Sequence, residues 1–354
     1  MNNSQSSHPR YIMPAEWERH EATWIGWPQN LTDWPNKFAP IPWVYGEIAR
    51  KITEGEILRI LVDSKSVEEK ARRIFERIGV DQSKTEFFHI PTNRGWTRDS
   101  GPIFVKTRAD RKRAIMRFNF SAWAKYPNWQ KDCKVSERAA KTLKLPAIEP
   151  VYNKRRVVLE GGSIDVNGSG TLITTEECLL DPVVQIRNPG FTRTDYENVF
   201  KEYLGATNVL WLGKGIAGDD THGHVDDLCR FVNRNTIVLC MEENPREANY
   251  TPLHENNERL QGMKLENGSK PEIVHLPMPA PLYLDGQRLP ASYANFYISN
   301  AAVIVPTFND RNDRIALGIL SELFTDRPVI GIHAVDLVWG LGTLHCLTQQ
   351  QPAA

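Results

Sequence analysis

The sequence has 354 residues, which is long enough for one large domain or two ordinary ones with a substantial hydrophobic core. Lysine plus arginine and aspartate plus glutamate both total 43, so the formal net charge is zero. This balance excludes the basic excess typical of nucleic-acid-binding proteins, and no apolar run reaches the roughly 18 residues of a membrane span. We therefore expect neither a nucleic acid nor a membrane as a partner.

The five cysteines are odd in number and scattered, with no CxxC pair. This usage indicates reduced thiols rather than a disulfide framework. The first ten residues are polar and lack the apolar segment of a secretory signal, so we predict a flexible N-terminal tail over residues 1–10. Together these features predict a cytoplasmic protein whose partners are small molecules and further copies of itself, as in a homo-oligomer.

Four segments show the apolar spacing of amphipathic helices. Two of them share one plan, in which a Ser or Thr and a Glu three residues later form a capping box and a Gly ends the helix. The residues predicted for these boxes and ends are Ser66, Glu69 and Gly79, then Thr194, Glu197 and Gly205. The other two predicted helices cover residues 136–145 and 313–324.

Short apolar strands follow these helices, as in AIEPVY, NVLWLG and PVIGIHA, and strand pairs joined by turn residues precede them. The clearest pair is SIDVNGSGTLIT, whose turn we place at Asn167 and Gly168. The recurring unit is therefore strand, strand, helix, strand. Polar residues stand near the start of these units at roughly regular intervals: Asp99, Glu160, Asp226 and Asn295, with Cys346 opening the last segment.

A supersecondary unit that repeats along a chain indicates a radial or stacked architecture of the α/β class. If such units form a ring, the polar residues at their starts converge at one mouth. No low-complexity linker divides the sequence. We therefore expect a single catalytic domain over residues 11–354.

The stretch GKGIAGDDTHGHVDDLCRF, residues 213–231, allows three interpretations. Its first six residues match the G-x-G-x-x-G pattern of a dinucleotide loop after a strand. A pyrophosphate needs bare amides at a helix N-terminus, whereas this stretch continues as a predicted strand. Four aspartates would also repel the phosphates: Asp219, Asp220, Asp226 and Asp227.

A metal site is the second interpretation. His222, His224 and Asp226 alternate, so on a strand they would share one face and could bind zinc in a metal-dependent hydrolase. No second cluster supplies further ligands at a recognisable spacing. For His222 a purely structural role is the better interpretation.

In the third interpretation the stretch supplies the acid and base for a nucleophile elsewhere in the chain. Cys346, in WGLGTLHCLTQQQP, is the candidate. Its neighbour His345 is a poor base, because adjacent side chains of an extended chain point to opposite faces. The cysteines in apolar strands are interpreted as buried hydrophobic residues: Cys178, Cys229 and Cys240.

Five motifs then stand in a recognisable order: GWTRDSGP, EGGS, GDDTHGHVDDLCRF, SYANFYISN and LHCLTQQQP. In order and spacing they resemble the agmatine deiminases, which belong with the bacterial-type peptidyl-arginine deiminases in the guanidine-modifying (pentein) superfamily. The resemblance runs from about Tyr11 to Pro352 and implies a five-bladed α/β propeller of ββαβ units. The sequence departs from the family's glycine run before the cysteine, where it has Leu341.

The resemblance implies hydrolysis of agmatine to N-carbamoylputrescine and ammonia, in putrescine biosynthesis, through a covalent adduct on a cysteine. It implies that Cys346 is the nucleophile and His224 the general acid and base. Asp99 and Asp226 would hold the guanidinium nitrogens, and Glu160 would orient His224. The residues implied for the substrate pocket are Trp96, Asp220 and Asn295. No metal or redox cofactor is required.

Deiminases of arginine or peptidyl-arginine are the alternative within the superfamily. Agmatine lacks the α-carboxylate of arginine, and a pocket for arginine should offer that carboxylate a cation. Around the motifs the sequence offers acids and aromatics instead: Trp96, Asp219, Asp220, Glu21 and Trp24. Arg98 is the nearby cation, and we expect its neighbour Asp99 to pair with it. We therefore expect agmatine to be the preferred substrate.

Overall fold

The computed structural model describes residues 9–354, so most of the tail predicted over residues 1–10 lies outside the described residues. The strands are β1 Tyr11–Ile12, β2 His20–Gly26, β3 Ile57–Leu61, β4 Thr85–Phe88, β5 Ile103–Thr107, β6 Arg113–Met116, β7 Ala147–Ile148, β8 Val151–Tyr152, β9 Arg155–Arg156, β10 Asp165–Val166, β11 Thr171–Thr175, β12 Asn208–Leu212, β13 Cys229–Phe231, β14 Thr236–Met241, β15 Glu272–Pro277, β16 Tyr283–Leu284, β17 Gln287–Arg288, β18 Tyr297–Ile298, β19 Val303–Thr307, β20 Val329–His333 and β21 Thr348–Pro352.

The helices of the same residues are α1 Ile41–Ile52, α2 Lys65–Ile78, α3 Thr97–Ser100, α4 Val135–Leu143, α5 Glu176–Leu180, α6 Arg193–Val199, α7 Tyr250–Gln261, α8 Asp313–Leu323 and α9 Leu344–Leu347. None of them combines the length and apolar character needed to cross a bilayer. The predicted helices at 136–145 and 313–324 correspond to α4 and α8.

The five sheets of three or four strands repeat one pairing pattern. Their strand orders are β1-β5-β6-β7, β10-β11-β12, β13-β14-β15, β18-β19-β20 and β21-β2-β3-β4. In each, an antiparallel pair is followed by a parallel neighbour, as where β10 and β11 run antiparallel and β11 and β12 run parallel. A parallel neighbour requires a crossover connection, and helices supply it. The predicted unit of strand, strand, helix, strand is confirmed.

One sheet joins the two ends of the chain and was not predicted. Its strand β2 pairs antiparallel with the last strand, β21, and parallel with β3. The crossover between β2 and β3 is α1, which buries Tyr45, Ile48 and Ala49 against the sheet. The units that the sequence made visible are therefore completed by one built from both termini.

The helix ends were predicted better than the helix starts. Gly79 and Gly205 end their segments in the left-handed conformation, with φ of 80° and 73°, as predicted. Both starts lie two residues earlier than predicted. Ser64, not Ser66, caps α2, and Thr192 forms the capping box of α6 with Asp195.

The reason for the two wrong starts is local. In both sequences a second hydroxyl residue stands two positions upstream, and that residue has the extended backbone that a cap requires. The Thr192 box is closed from both sides, since the Asp195 carboxylate accepts from the Thr192 amide at 2.7 Å. The upstream hydroxyl residue is the cap in both helices, and only at Thr192 does an acidic residue three positions later complete a box.

The polar residues that mark the units lie shortly before the first strand of each strand–strand–helix–strand unit, which is β5, β10, β13, β18 or β21. The structure places them in or next to α3, the turn Gly161–Ser163, the turn Val225–Asp227, the loop before β18, and α9. The residues, in that order, are Asp99, Glu160, Asp226, Asn295 and Cys346.

Gly205 and Gly79 offer a matched test of how the chain start docks on the fold. A Cβ at Gly205 would lie 2.1 Å from the Tyr11 carbonyl oxygen, whereas a Cβ at Gly79 would meet nothing within 4 Å. Both glycines are left-handed, so alanine there should cost about 1–2 kcal/mol in either case. We expect Gly205→Ala to lower the free energy of unfolding in urea by about 1–3 kcal/mol more than Gly79→Ala. Equal losses would contradict this contact.

Candidate active site

The predicted nucleophile lies in the short helix α9. The Cys346 thiol accepts a hydrogen bond from Asn295 Nδ2 at 3.1 Å, and its Sγ lies 3.8 Å from Asp226 Oδ2. The side-chain Oδ1 of Asn295 accepts hydrogen bonds from the Thr343 hydroxyl at 2.7 Å and from the His345 amide at 3.0 Å. Asn295 therefore fixes the loop that carries the thiol, and both ends of its amide are occupied by protein. It is not among the residues that line the cavity described below, and its role in the substrate pocket stays a prediction.

His224 is fully buried among three carboxylates. Its Nδ1 lies 3.7 Å from Asp99 Oδ1 and 4.0 Å from Asp226 Oδ1, and its Nε2 lies 3.7 Å from Glu160 Oε2. Neither ring nitrogen has a hydrogen-bond partner within residues 9–354. The ring is placed to carry a proton and to exchange it with a bound molecule.

Glu160 is held by a cation that the sequence did not reveal. Arg187 donates from Nε to both carboxylate oxygens, at 3.2 and 3.3 Å, and from Nη2 to the Thr221 carbonyl. Both side chains of the ion pair are completely buried. Arg187 lies in an irregular loop outside any motif, so no pattern in the sequence marks it.

Asp99 receives two donors, one of which explains a glycine in the EGGS motif. Gly162 donates its amide to Asp99 Oδ1 at 2.9 Å, and Trp123 Nε1 donates to Oδ2 at 2.8 Å. A Cβ at Gly162 would lie 2.6 Å from His224 Nδ1, so only glycine leaves room for the ring. Trp123 was missed because three consecutive left-handed residues, with φ of 47–57°, turn it inward.

His345 and Arg98 both bind Glu16, which sequence analysis did not single out. The His345 ring contacts Asp226 Oδ2 at 2.6 Å and Glu16 Oε2 at 2.8 Å. Arg98 donates to Glu16 Oε2 at 3.0 Å. The pairing expected between Arg98 and Asp99 is therefore wrong, because neighbouring side chains on α3 point in different directions.

The metal and dinucleotide interpretations both lose their structural basis. Residues 225–227 form a 3₁₀ turn rather than a strand, so the alternating residues do not share one face. His222 Nε2 instead pairs with Asp181 Oδ2 at 2.9 Å. The glycine-containing loop after β12 leads into this turn and β13, not into a helix N-terminus. Cys178, which the sequence indicates is a buried hydrophobic residue, lies close to Glu160 and His224. The side-chain N, O and S atoms of these three residues are within 4.8 Å of one another.

An open cavity leads from the surface to the thiol. It is lined by Thr32, Asp33, Arg94, Trp96, Asp99, Trp123, Tyr126, Asp220, Thr221, Gly340, Leu341 and Cys346. Trp96 and Asp220 are there as predicted. Glu21 and Trp24 are not, since both lie on β2 and contact Gln351. Leu341, which departs from the family pattern, reaches the wall with φ of 67°.

A family model described as Porphyromonas-type peptidyl-arginine deiminase matches residues 12–352. The chain belongs to this family. It is 34% identical to the agmatine deiminase of Medicago truncatula, over 100% of this chain and 99% of that one. It is 33% identical to the agmatine deiminase of Stutzerimonas stutzeri, over 98% of each chain.

Solved structures of the family agree with the fold. An agmatine deiminase of C. jejuni with substrate bound has a TM-score of 0.85 and 31% identity, covering 99% of this chain and 98% of that one. The agmatine deiminase of Enterococcus faecalis has a TM-score of 0.87 and 28% identity, covering 99% of each chain. The deiminase family member described here therefore has the α/β pentein fold.

The charges of the site favour a protonated thiol next to a protonated imidazole. Burial raises the pKa of Cys346 well above its usual value, and the carboxylates of Asp226, Asp227 and Asp99 raise it further. Burial works against a charged His224, but the Asp99 carboxylate and its other neighbours hold the His224 pKa well above its usual value. Burial also raises the pKa of Asp99 to about 6, against the opposing effect of His224.

Alkylation by iodoacetamide should report this state. Since the raised pKa leaves little thiolate, we expect Cys346 in the substrate-free protein to react slowly at neutral pH. The alkylation rate should keep rising with pH and reach no plateau below pH 9, because the ordinary pKa of a cysteine thiol is 9.0. Mass spectrometry of the peptide that carries Cys346 measures the rate, with N-acetylcysteine as the reference thiol. A plateau near neutral pH would contradict the assignment.

Proposed function

We propose that this protein hydrolyses agmatine to N-carbamoylputrescine and ammonia, in the production of putrescine from arginine. The observation that carries the proposal is a buried cluster of a thiol, an imidazole and two carboxylates at the inner end of one cavity. Cys346 and Asp99 line the cavity, and His224 and Asp226 lie directly behind them. The curated relatives named above are agmatine deiminases, and one solved neighbour holds its substrate.

Guanidinium chemistry requires these groups. A guanidinium is a resonance-stabilised cation and a poor electrophile, so it needs a strong nucleophile held close to its carbon. Its planar, forked N–H donors match carboxylates through charge-assisted hydrogen bonds. Asp226 Oδ1 is buried and has no hydrogen-bond partner within residues 9–354, so it is available to such a donor. Trp96 supplies a flat wall beside the thiol.

The reaction follows in two stages. Binding of the cation compensates Asp99 and Asp226, which lowers the cost of a thiolate, and Cys346 releases its proton to solvent. The thiolate attacks the guanidinium carbon, His224 donates its proton to the departing nitrogen, and ammonia leaves an amidino adduct on sulfur. Neutral His224 then takes one proton from a water molecule, whose oxygen attacks the adduct carbon. As the carbon–sulfur bond breaks, the hydroxyl proton passes to the sulfur, which releases N-carbamoylputrescine and restores the Cys346 thiol and the protonated His224. Glu160 keeps His224 oriented throughout.

The architecture and assembly complete the proposal. The repeated pairing pattern of the sheets supports a five-bladed propeller with the site on its axis. Contributions to the site from residues 16 to 346 support a single catalytic domain over residues 11–354.

Exposed apolar side chains, with Val183 at 80% and Leu31 at 64% exposure, support a homo-oligomer. The five free cysteines fit a cytoplasmic location.

The cavity's cations bear on the choice between agmatine and arginine. Sequence analysis missed Arg94 at the cavity wall and Lys125 beside it. Arg94 pairs with Asp33, and Lys125 pairs with Asp220 at 2.5 Å, so each already has a carboxylate partner. Asp33 Oδ2 is buried and has no hydrogen-bond partner in the described part of the chain. Among the described residues the cavity therefore offers a free carboxylate oxygen to the ammonium of agmatine. Arg94 Nε also lacks a hydrogen-bond partner there, but the charges of Arg94 and Lys125 are each paired with a carboxylate.

Product analysis with agmatine and with arginine tests the substrate. We expect kcat/KM for agmatine to exceed that for free arginine by at least about a hundredfold, because the α-carboxylate of arginine would be buried among acids. Ammonia release measures the rates, and chromatography identifies N-carbamoylputrescine or citrulline. Comparable values, or faster citrulline formation on peptides, would overturn the substrate and leave the deiminase chemistry standing.

Covalent catalysis is tested by two variants. Cys346→Ala should abolish turnover while its melting temperature stays near that of the wild type, because the reaction proceeds through the sulfur. His224 acts both in forming the amidino adduct and in hydrolysing it. If His224→Ala slows hydrolysis more than formation, mass spectrometry of the intact protein should detect the adduct after mixing with agmatine. Substantial turnover by Cys346→Ala would refute the nucleophile.

A further inference from the structure

A chain of buried side chains runs behind the carboxylate that faces the substrate. His345 Nδ1 lies 2.6 Å from Asp226 Oδ2, and His345 Nε2 lies 2.8 Å from Glu16 Oε2. All three side chains are at most 3% exposed. Each ring nitrogen thus faces a carboxylate oxygen, and a singly protonated ring could donate to only one of them. The charged, doubly protonated ring satisfies both.

Glu16 anchors the far end of this chain rigidly. Its Oε1 accepts from Arg230 Nη2 and from the Ile298 amide, both at 2.9 Å, and its Oε2 accepts from Arg98 Nη2 at 3.0 Å. These donors come from three different parts of the fold. Glu16 therefore has little freedom to move, and the His345 ring that it holds has little freedom to rotate.

We propose that His345 is a positioning residue that acts through Asp226: its charged ring keeps Asp226 ionised and occupies Oδ2, so that Oδ1 remains free for the guanidinium. This inference rests on the proposed function. It assigns a role in binding to a residue next to the nucleophile that contacts neither the cavity nor the reacting sulfur.

The surroundings of Asp226 explain why it needs a cation of its own. The acidic side chains of Asp99, Asp227 and Cys346 lie nearby, and burial opposes the charged form of each. The titratable and charged groups that face Asp226 are His224 and Asp227 from its own turn, Asp99, Arg230, His345 and Cys346. Burial raises the pKa of Asp226, and the hydrogen bond and charge of His345 lower it again, so that the net pKa is below the usual value.

The groups that face His345 are balanced toward the negative. They are Asp226, Glu16 and Asp165. Arg98 binds Glu16 at Oε2, the oxygen that His345 also contacts, and Arg230 binds it at Oε1. Since carboxylates occupy both ring nitrogens, substitution by glutamine keeps a hydrogen-bond donor but removes the charge. His345→Gln should therefore raise the pKa of Asp226, so that Asp226 is protonated at pH values where the wild type is ionised.

Agmatine affinity across a pH series tests the proposal. The measurement uses calorimetry in the Cys346→Ala background, where binding occurs without turnover. We expect His345→Gln to weaken binding at least tenfold at neutral pH, and the deficit to shrink as the pH rises and Asp226 ionises again. A merely structural effect would weaken binding by the same factor at every pH, and that result would overturn the proposal.

His20→Gln is the matched control. His20 is also buried, and its ring likewise bridges two oxygens, those of Glu56 Oε1 and the Glu16 carbonyl, without contacting Asp226. It should leave agmatine affinity within about twofold of the background. An equal deficit in both variants would show a general effect of losing a buried imidazole and would overturn the proposal.

A measurement on the unaltered protein covers the case in which His345→Gln does not fold. The ¹⁵N chemical shifts of the His345 ring should show both nitrogens protonated at pH 7, and a neutral ring would overturn the proposal. The proposed function is judged separately by turnover of agmatine in the wild type. If the wild type turns over agmatine and the affinity series shows no pH-dependent deficit, only the role of His345 fails.

Discussion

A carboxylate that leaves water on folding costs several kilocalories per mole unless cations or hydrogen-bond donors replace the lost hydration. This protein gathers a cluster of them at its centre, and the arrangement of the surrounding elements follows from that constraint. Arg187 is completely buried against Glu160, and Arg98 and Arg230 are buried against Glu16. Asp99 receives a backbone amide and an indole, and the His224 ring lies 3.7 Å away.

The carboxylates and the imidazole behind the cavity are not fully supplied with hydrogen-bond partners, and we propose that the guanidinium binds there. His224 and Oδ1 of Asp226 have no hydrogen-bond partner within residues 9–354. A cation with several N–H donors is the ligand that such an incomplete site lacks. The same deficit keeps the thiol protonated until that ligand arrives, so binding and activation of Cys346 are two results of one change in charge.

Sequence patterns predicted what is local: the recurring unit and the helix-ending glycines. The motifs also indicated residues that the structure brings together, Asp99, His224, Asp226 and Cys346, and the roles assigned to them stay predictions. They missed whatever depends on the direction of a side chain in three dimensions. Arg98 turns to Glu16 rather than to its neighbour, and Arg187 approaches Glu160 from an irregular loop. The sheet of β21 and β2 was missed because its strands come from opposite ends of the chain.

That same sheet has a consequence for how the site forms. Each turn that carries a site residue precedes the first strand of one repeating unit. These turns are far apart in the sequence, so no short fragment of the chain contains the whole site. Pairing of such distant segments carries a loop-closure cost before contacts repay it. The N-terminal segment supplies Glu16 and the C-terminal strand follows Cys346 directly, so both ends must dock before His345 can bridge Glu16 and Asp226. The compensation of Asp226 by His345, and of Glu16 by Arg98 and Arg230, is therefore complete only when both ends of the chain have docked.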